Sequence, residues 1–118
     1  MPREKRSGVT WITKSRDIRS LKRIGRFFRG TLVLAWVSLD ACEGSDIPRV
    51  GVATGKGFEK AVWRNKARRR VKGCVMDSRH LLKPGTSYLI ECRPGVEGAE
   101  YQLLVNEVRD ILARSLDC

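Results

Sequence analysis

Apolar positions fall at two different spacings along this chain. Near the start, Ile18, Leu21 and Ile24 recur every third residue while Arg16, Arg19, Lys22 and Arg23 fill the places between, which predicts an amphipathic helix from Ser15 to about Ile24. Ser15 stands where an N-cap is expected, and Gly25 would end the helix. The run RFFRGTLVLAWVSL then changes to alternation, with Leu32, Leu34 and Trp36 on one face and Val33, Ala35, Val37 and Leu39 on the other. A strand apolar on both faces belongs in the interior of a sheet. DACEGSD is rich in turn residues and PRVGVAT follows as a second strand, so these two strands are expected to form an antiparallel hairpin. TSYLIECR is a third strand, with Tyr88, Ile90 and Cys92 opposite Leu89 and Glu91.

Helical spacing returns twice. Over residues 61–76, Trp63, Ala67, Val71 and Cys74 line up on one stripe that is expected to pack, while Asn65, Arg68, Arg69 and Lys72 form the opposite stripe, widened by Arg64, Lys66 and Arg70. In the last segment Tyr101, Leu104, Val105, Val108, Ile111, Leu112 and Leu116 make the longest apolar stripe of the chain, expected as core. RPGVEG before it is a loop. Helix, strands, helix, strand, helix is the order of an α+β two-layer sandwich. Residues 1–12 show little periodicity and are expected to form a flexible basic arm, leaving residues 13–118 as a single domain.

The charge is unevenly placed. The formal net charge is +11, but residues 1–30 carry +8 and residues 56–72 carry +7, while residues 31–55 and 73–118 come to −2 each. The basic helix has six Lys or Arg in the twelve positions from 61 to 72. Like charges at helical spacing cost a few tenths of a kcal/mol per pair, so this is a surface for a polyanion rather than a solvated face. Arginine dominates, and its planar fork suits phosphate or a guanine edge. Asn65 adds an amide able to read a base edge or a 2′-hydroxyl.

Other chemistry finds little support. No run of about 18 apolar residues crosses a membrane, and MPREKRSG lacks the apolar stretch of a signal peptide, so the expectation is a cytoplasmic protein without a membrane partner. Cys42, Cys74, Cys92 and Cys118 show no CxxC spacing and are expected as reduced thiols. His80 is the one histidine, and no paired carboxylates, nucleophile elbow or P-loop accompanies it. No catalytic residue and no protein-bound metal are expected.

GKGFEKAVWRNKARRRVK resembles the signature of the protein subunit of bacterial ribonuclease P, KKxGxAVxRNxxKRxxR, through Lys56, Ala61, Val62, Arg64, Asn65, Arg68, Arg69 and Lys72. SRDIRSLKRIG is similar to that family's opening helix, LVLAWV to its long strand, PRVGVAT to the strand before the basic helix, and SYLIECRPG to the strand before the closing helix, which extends the likeness over residues 13–116.

The resemblance implies a fold like the second domain of ribosomal protein S5, in the order αβββαβα, with a four-stranded sheet and a left-handed βαβ crossover holding the basic helix; RFF would supply the fourth strand. It implies a protein cofactor, with no obligate protein partner of its own, that binds a catalytic RNA and the 5′ leader of precursor tRNA and promotes removal of the leader, the RNA performing the hydrolysis with Mg²⁺. By position, Arg64, Asn65, Arg68, Arg69 and Lys72 would meet the catalytic RNA, with Lys56, Lys60 and Lys66 on phosphates. Ile18, Lys22, Phe28 and Trp36 would meet the leader in a cleft between sheet and first helix. Ile18 and Lys22 stand where the family has helix aromatics, Gly57 where it has a second lysine, and Glu59 where it has a glycine. The competing readings are a general structured-RNA-binding or ribosome-associated protein with no role in cleavage, and a nuclease acting alone, which would need a clustered set of acids.

Overall fold

The computed structural model describes residues 8–39 and 47–116. The elements follow in the order β1 (Thr10–Ile12), α1 (Ser15–Ile24), β2 (Arg26–Arg29), β3 (Val33–Ser38), β4 (Arg49–Thr54), α2 (Ala61–Asp77), β5 (Ser87–Cys92) and α3 (Tyr101–Ser115), with 3-10 turns at Arg79–Leu81 and Val96–Gly98. One five-stranded sheet forms in the order β1-β4-β5-β3-β2. β1 runs parallel to β4 and β4 parallel to β5, while β3 is antiparallel to both β5 and β2. β4 and β5 are therefore neighbouring parallel strands joined through α2.

Two expectations change here. β3 and β4 are not a hairpin, because β5 lies between them with Trp36 opposite Leu89 on one side and Gly51 opposite Leu89 on the other. The physical reason is burial: Tyr88, Leu89 and Ile90 are covered on both faces, so this strand takes the centre of the sheet. The arm expected over residues 1–12 is also too long. Val9 and Trp11 face one side of the sheet and Ile12 the other, an alternation that makes Thr10–Ile12 a fifth strand ahead of α1. Residues 1–7 of that arm, and the DACEGSD loop with Cys42, lie outside the described residues, as does Cys118.

α2 and α3 cover one face of the sheet. Ala67, Val71, Cys74 and Val75 from α2 and Leu104, Val105, Val108, Ile111 and Leu112 from α3 close over Val33, Ala35, Val37, Val50, Val52, Tyr88, Ile90 and Cys92. Tyr101 and Leu116, expected in that stripe, are exposed at the two ends of α3. The helices lock to each other through Arg70, which donates to the carbonyls of Val96 (2.7 Å) and Ala99 (2.5 Å), and through Tyr101, whose hydroxyl donates to Asp77 (3.3 Å). Gly73 leaves room for that ring, since a Cβ there would lie 2.8 Å from the Tyr101 hydroxyl.

The opposite face has α1 alone. Leu21 packs on Ile12 and Leu89, with Ile18, Trp36 and Ala53 at the margin, whereas Ile24 turns out to solvent. Lys14 rather than Ser15 takes the N-cap position, without a side-chain cap; Asp17 in the first turn and Lys22 and Arg23 in the last complement the helix dipole. Gly25 ends the helix by close approach: its N–H donates to Leu21, and a Cβ would sit 2.6 Å from that carbonyl oxygen and 3.0 Å from the Trp36 Cβ. Among the described residues no helix is long and apolar enough to cross a membrane.

The turn from β2 into β3 is held from a distance. Glu107 of α3 accepts hydrogen bonds from the N–H groups of Leu32 (2.7 Å) and Val33 (2.8 Å) through one carboxylate oxygen. Replacing it by alanine leaves two half-buried donors without that acceptor, and Glu107→Ala is expected to lower the stability by about 1–3 kcal/mol in urea unfolding while β5 and its neighbours keep their register.

Candidate nucleic-acid interfaces

α2 presents two chemically distinct sides because its buried stripe is narrow. Ala67, Val71, Cys74 and Val75 face the sheet, and Asn65, Lys66, Arg69 and Lys72 are exposed on the far side. Arg64 and Arg68 stand half-buried at the boundary. Arg64 donates to the Phe58 carbonyl (3.4 Å), and Arg68 reaches both Thr54 Oγ1 (3.5 Å) and Asn65 Oδ1. Because guanidinium only donates, the Asn65 oxygen turns to Arg68 and its NH₂ faces outward as a donor. Among the described residues none of Lys56, Lys60, Arg64, Lys66, Arg68, Arg69 and Lys72 forms an ion pair with a carboxylate. The N-terminus of α2 adds to the positive field, having neither an acidic residue in its first turn nor a side-chain cap.

Not every cation of the helix belongs to that surface. Arg70 is committed to the carbonyls before α3, so it fastens the helix instead of widening its basic face. Trp63 is not core as expected: it is 36 % exposed, with the Lys60 ammonium 5.3 Å from its ring centroid. Lys72 lies likewise over Trp11, at 5.2 Å, and carries the basic surface toward the β1 edge.

A cleft of about 790 Å³ opens on the other face, where α1 stops short of covering β2 and β3. Phe27 and Leu34 line its floor, and Lys22, Arg29, Lys56 and Arg93 its walls. Lys56 therefore stands at the cleft and not on the exposed side of α2. Phe27 and Trp36 are cross-strand partners with ring centroids 5.2 Å apart at 47°. Lys22 holds both the Trp36 face, 5.3 Å from its centroid, and Glu91, at 2.5 Å. Among the described residues, Glu91 is the one carboxylate lining this cleft.

The four residues assigned to the cleft from sequence separate. Lys22 lines the cleft and Trp36 stands at its edge, under the Lys22 ammonium and against the Phe27 ring; Ile18 packs beneath α1 in the cluster of Leu21 and Leu89. Phe28 does not belong: it is 9 % exposed and lies in the core under α2 and α3, with the Arg26 guanidinium over its ring, while Phe27 is 48 % exposed on the cleft side. A shift of one residue exchanges the two faces of a strand, so the adjacent phenylalanines are distinguished only by register, here Phe27 opposite Trp36. Arg29, Glu91 and Arg93 also come to the cleft unannounced, from strand ends that only the fold brings together.

The described residues contain no group of three or more His, Cys, Asp or Glu side chains placed to hold a metal ion. His80 is exposed in the turn after α2. Cys74 and Cys92 are buried free thiols; burial raises both, and pushes Cys92 up to about 12 against a smaller opposing effect of Arg68. They are protonated at neutral pH and are not nucleophiles. Because the folded pKa of Cys92 is raised, its contribution to stability is complete below the ordinary value of 9.0 and is lost as the pH climbs toward 12. Urea unfolding of wild type is expected to lose stability between pH 8 and about pH 10.5, Cys92→Ala to lose less over the same interval, and thiol reagents to reach Cys92 only on unfolding.

The family model for ribonuclease P matches residues 8–116. The chain is 33 % identical over 105 residues to the ribonuclease P protein component of Clavibacter michiganensis, covering 89 % of this chain and 91 % of that one. It is 29 % identical over 101 residues to the same component from Streptococcus pyogenes, covering 86 % and 82 %. Solved structures of the RNase P proteins of Staphylococcus aureus and Thermotoga maritima share its fold with a TM-score of 0.74 each, at 18 % and 19 % identity, over 89 % and 87 % of this chain and 94 % of each of theirs. The match runs from β1 to the end of α3 and takes in the RN-centred basic helix, and with it the chain belongs to the ribonuclease P proteins.

Proposed function

We propose that this chain is the protein subunit of the endoribonuclease ribonuclease P, using α2 to dock on the catalytic RNA and the cleft to hold the 5′ leader of precursor tRNA. Arg64, Asn65, Lys66, Arg68, Arg69 and Lys72 meet the catalytic RNA, with Lys60 at the head of the helix. Lys22, Arg29, Lys56 and Arg93 meet leader phosphates, and Phe27 and Trp36 take leader bases. The observation that carries this reading is that the two surfaces adjoin: β4 ends at Thr54 in the cleft wall, and Arg68 of α2 reaches the Thr54 hydroxyl. A leader in the cleft is thereby held beside whatever RNA covers α2.

The work of such a subunit is electrostatic and positional. Two polyanions repel, and cations offset that repulsion where the leader enters, Arg29, Lys56 and Arg93 among them having no carboxylate partner among the described residues. Each base stacked on an aromatic ring adds about 1–3 kcal/mol. Hydrolysis is assigned to the RNA with its Mg²⁺; among the described residues no group of three or more His, Cys, Asp or Glu side chains is placed to hold a metal ion. The buried reduced thiols accord with work in the cytoplasm, among nascent tRNA precursors.

The test is cleavage of a precursor tRNA by a bacterial ribonuclease P RNA at low Mg²⁺. Leader removal is expected with RNA and protein together and with neither alone; tight RNA binding without any gain in cleavage would favour a general RNA-binding protein, and cleavage by the protein alone would refute the division of labour. In the holoenzyme, Phe27→Ala is expected to weaken precursor binding by about 5- to 100-fold while leaving leaderless tRNA unaffected. Phe28→Ala is expected to act on folding instead, by about 3–5 kcal/mol.

A further inference from the structure

All three tryptophans of the chain carry a lysine ammonium 5.2–5.3 Å from the ring centroid. Trp36 adjoins the cleft through Phe27 and Lys22, and Trp11 is half-buried where β1 meets the main core. Trp63 has neither role. It stands in the first turn of α2, outside the buried stripe, beside the still more exposed Val62, in a position that the RN signature leaves open.

Its surroundings limit what it can meet. Lys60, Trp63, Lys66 and Arg70 follow one another down the same flank of α2 at helical spacing, and the one acid of this stretch, Glu59, precedes the N-cap. A second exposed aromatic, Tyr101, lies near the lower end of that flank under the Arg70 guanidinium, but its hydroxyl is bonded to Asp77 and the Arg70 fork is spent on backbone carbonyls. On this flank, among the described residues, Trp63 is the aromatic whose overlying cation, Lys60, is not held by an ion pair. A flat π surface bordered by Lys60 and Lys66 is complementary to a flat group that carries negative charge on both sides, which describes a nucleotide in a single strand.

We propose that Trp63 is a stacking platform for one unpaired base of the RNA bound by α2, with Lys60 and Lys66 on the phosphates either side. This rests on the docking of α2 assigned above and adds to it a contact that does not depend on ionic strength. Stacking exchanges apolar surface and releases no counterions, whereas each phosphate contact steepens the salt dependence by about one unit of log affinity against log salt. The ring and the guanidinium groups therefore leave different signatures in one titration.

The experiment measures binding of the wild type and the Trp63→Ala, Trp63→Phe and Arg68→Ala variants to a ribonuclease P RNA, and to an unrelated structured RNA, from low to moderate salt. Trp63→Ala is expected to bind about 5- to 100-fold more weakly with the wild-type salt slope, and Trp63→Phe to recover most of the loss. Arg68→Ala is expected to lower the slope by about one. Wild-type affinity in Trp63→Ala, or a loss that Phe does not recover, would overturn the platform. Equal wild-type affinity for both RNAs would instead count against docking on the catalytic RNA, while a Trp63→Ala loss on both would still support stacking.

Discussion

A sheet that is apolar on both faces must be covered on both, and this chain has helices for little more than one. α2 and α3 close over the face that carries Val33, Ala35, Val50, Tyr88 and Ile90. On the other face the ten residues of α1 reach only Ile12, Leu21 and Leu89 before Gly25 turns the chain away. What remains uncovered, Phe27 and Leu34 with the half-buried Trp36 beside them, is apolar surface in a protein whose formal charge is +11. An apolar floor between cationic walls suits a strand of nucleotides, whose bases and phosphates alternate in the same way. The incomplete layer is thus what makes the cleft.

The charge distribution follows from the same economy of elements. α2 needs only Ala67, Val71, Cys74 and Val75 to stay on the sheet, and Ala67 lets its backbone approach closely. The rest of its circumference is available for Arg and Lys, at a cost in mutual repulsion that an RNA partner relieves. In the cleft the balance is finer. Lys22 is held over Trp36 by Glu91, so under the proposed leader binding a base arriving at that ring would meet a cation already oriented by a carboxylate. The first helix brings Ile18 and Lys22 toward this face, and the ring that lines the cleft, beside Trp36, comes from Phe27 on the neighbouring strand.

Much of this was legible in the residues. Helical spacing placed α1, α2 and α3 almost to the residue, the two-faced strand VLAWVS was rightly interior, and the basic stripe of α2 was visible before any fold. Pairing was not, because which strands are neighbours depends on competition for the centre: β5, buried on both sides, separates β3 from β4 although they follow each other in sequence. Three residues of alternation were too few to reveal β1 beside a basic segment. Phe27 and Phe28 show the same limit at one site, since adjacent identical side chains carry no sign of which faces the core. Trp63 fell on the packing stripe at 100° per residue, yet the sheet below is reached first by Ala67, and a helix end can lift a large ring clear of it.

The central claim is that one sheet gives two RNAs adjoining but separate places, the leader on the face left open by α1 and the catalytic RNA on the outer side of α2. A photo-crosslinking side chain placed at Phe27 in one variant and at Arg69 in another, each assembled with ribonuclease P RNA and precursor tRNA, tests it most directly. The Phe27 probe should join the leader and the Arg69 probe the catalytic RNA, each leaving the other RNA unmarked. Both probes joining the same RNA would contradict the claim.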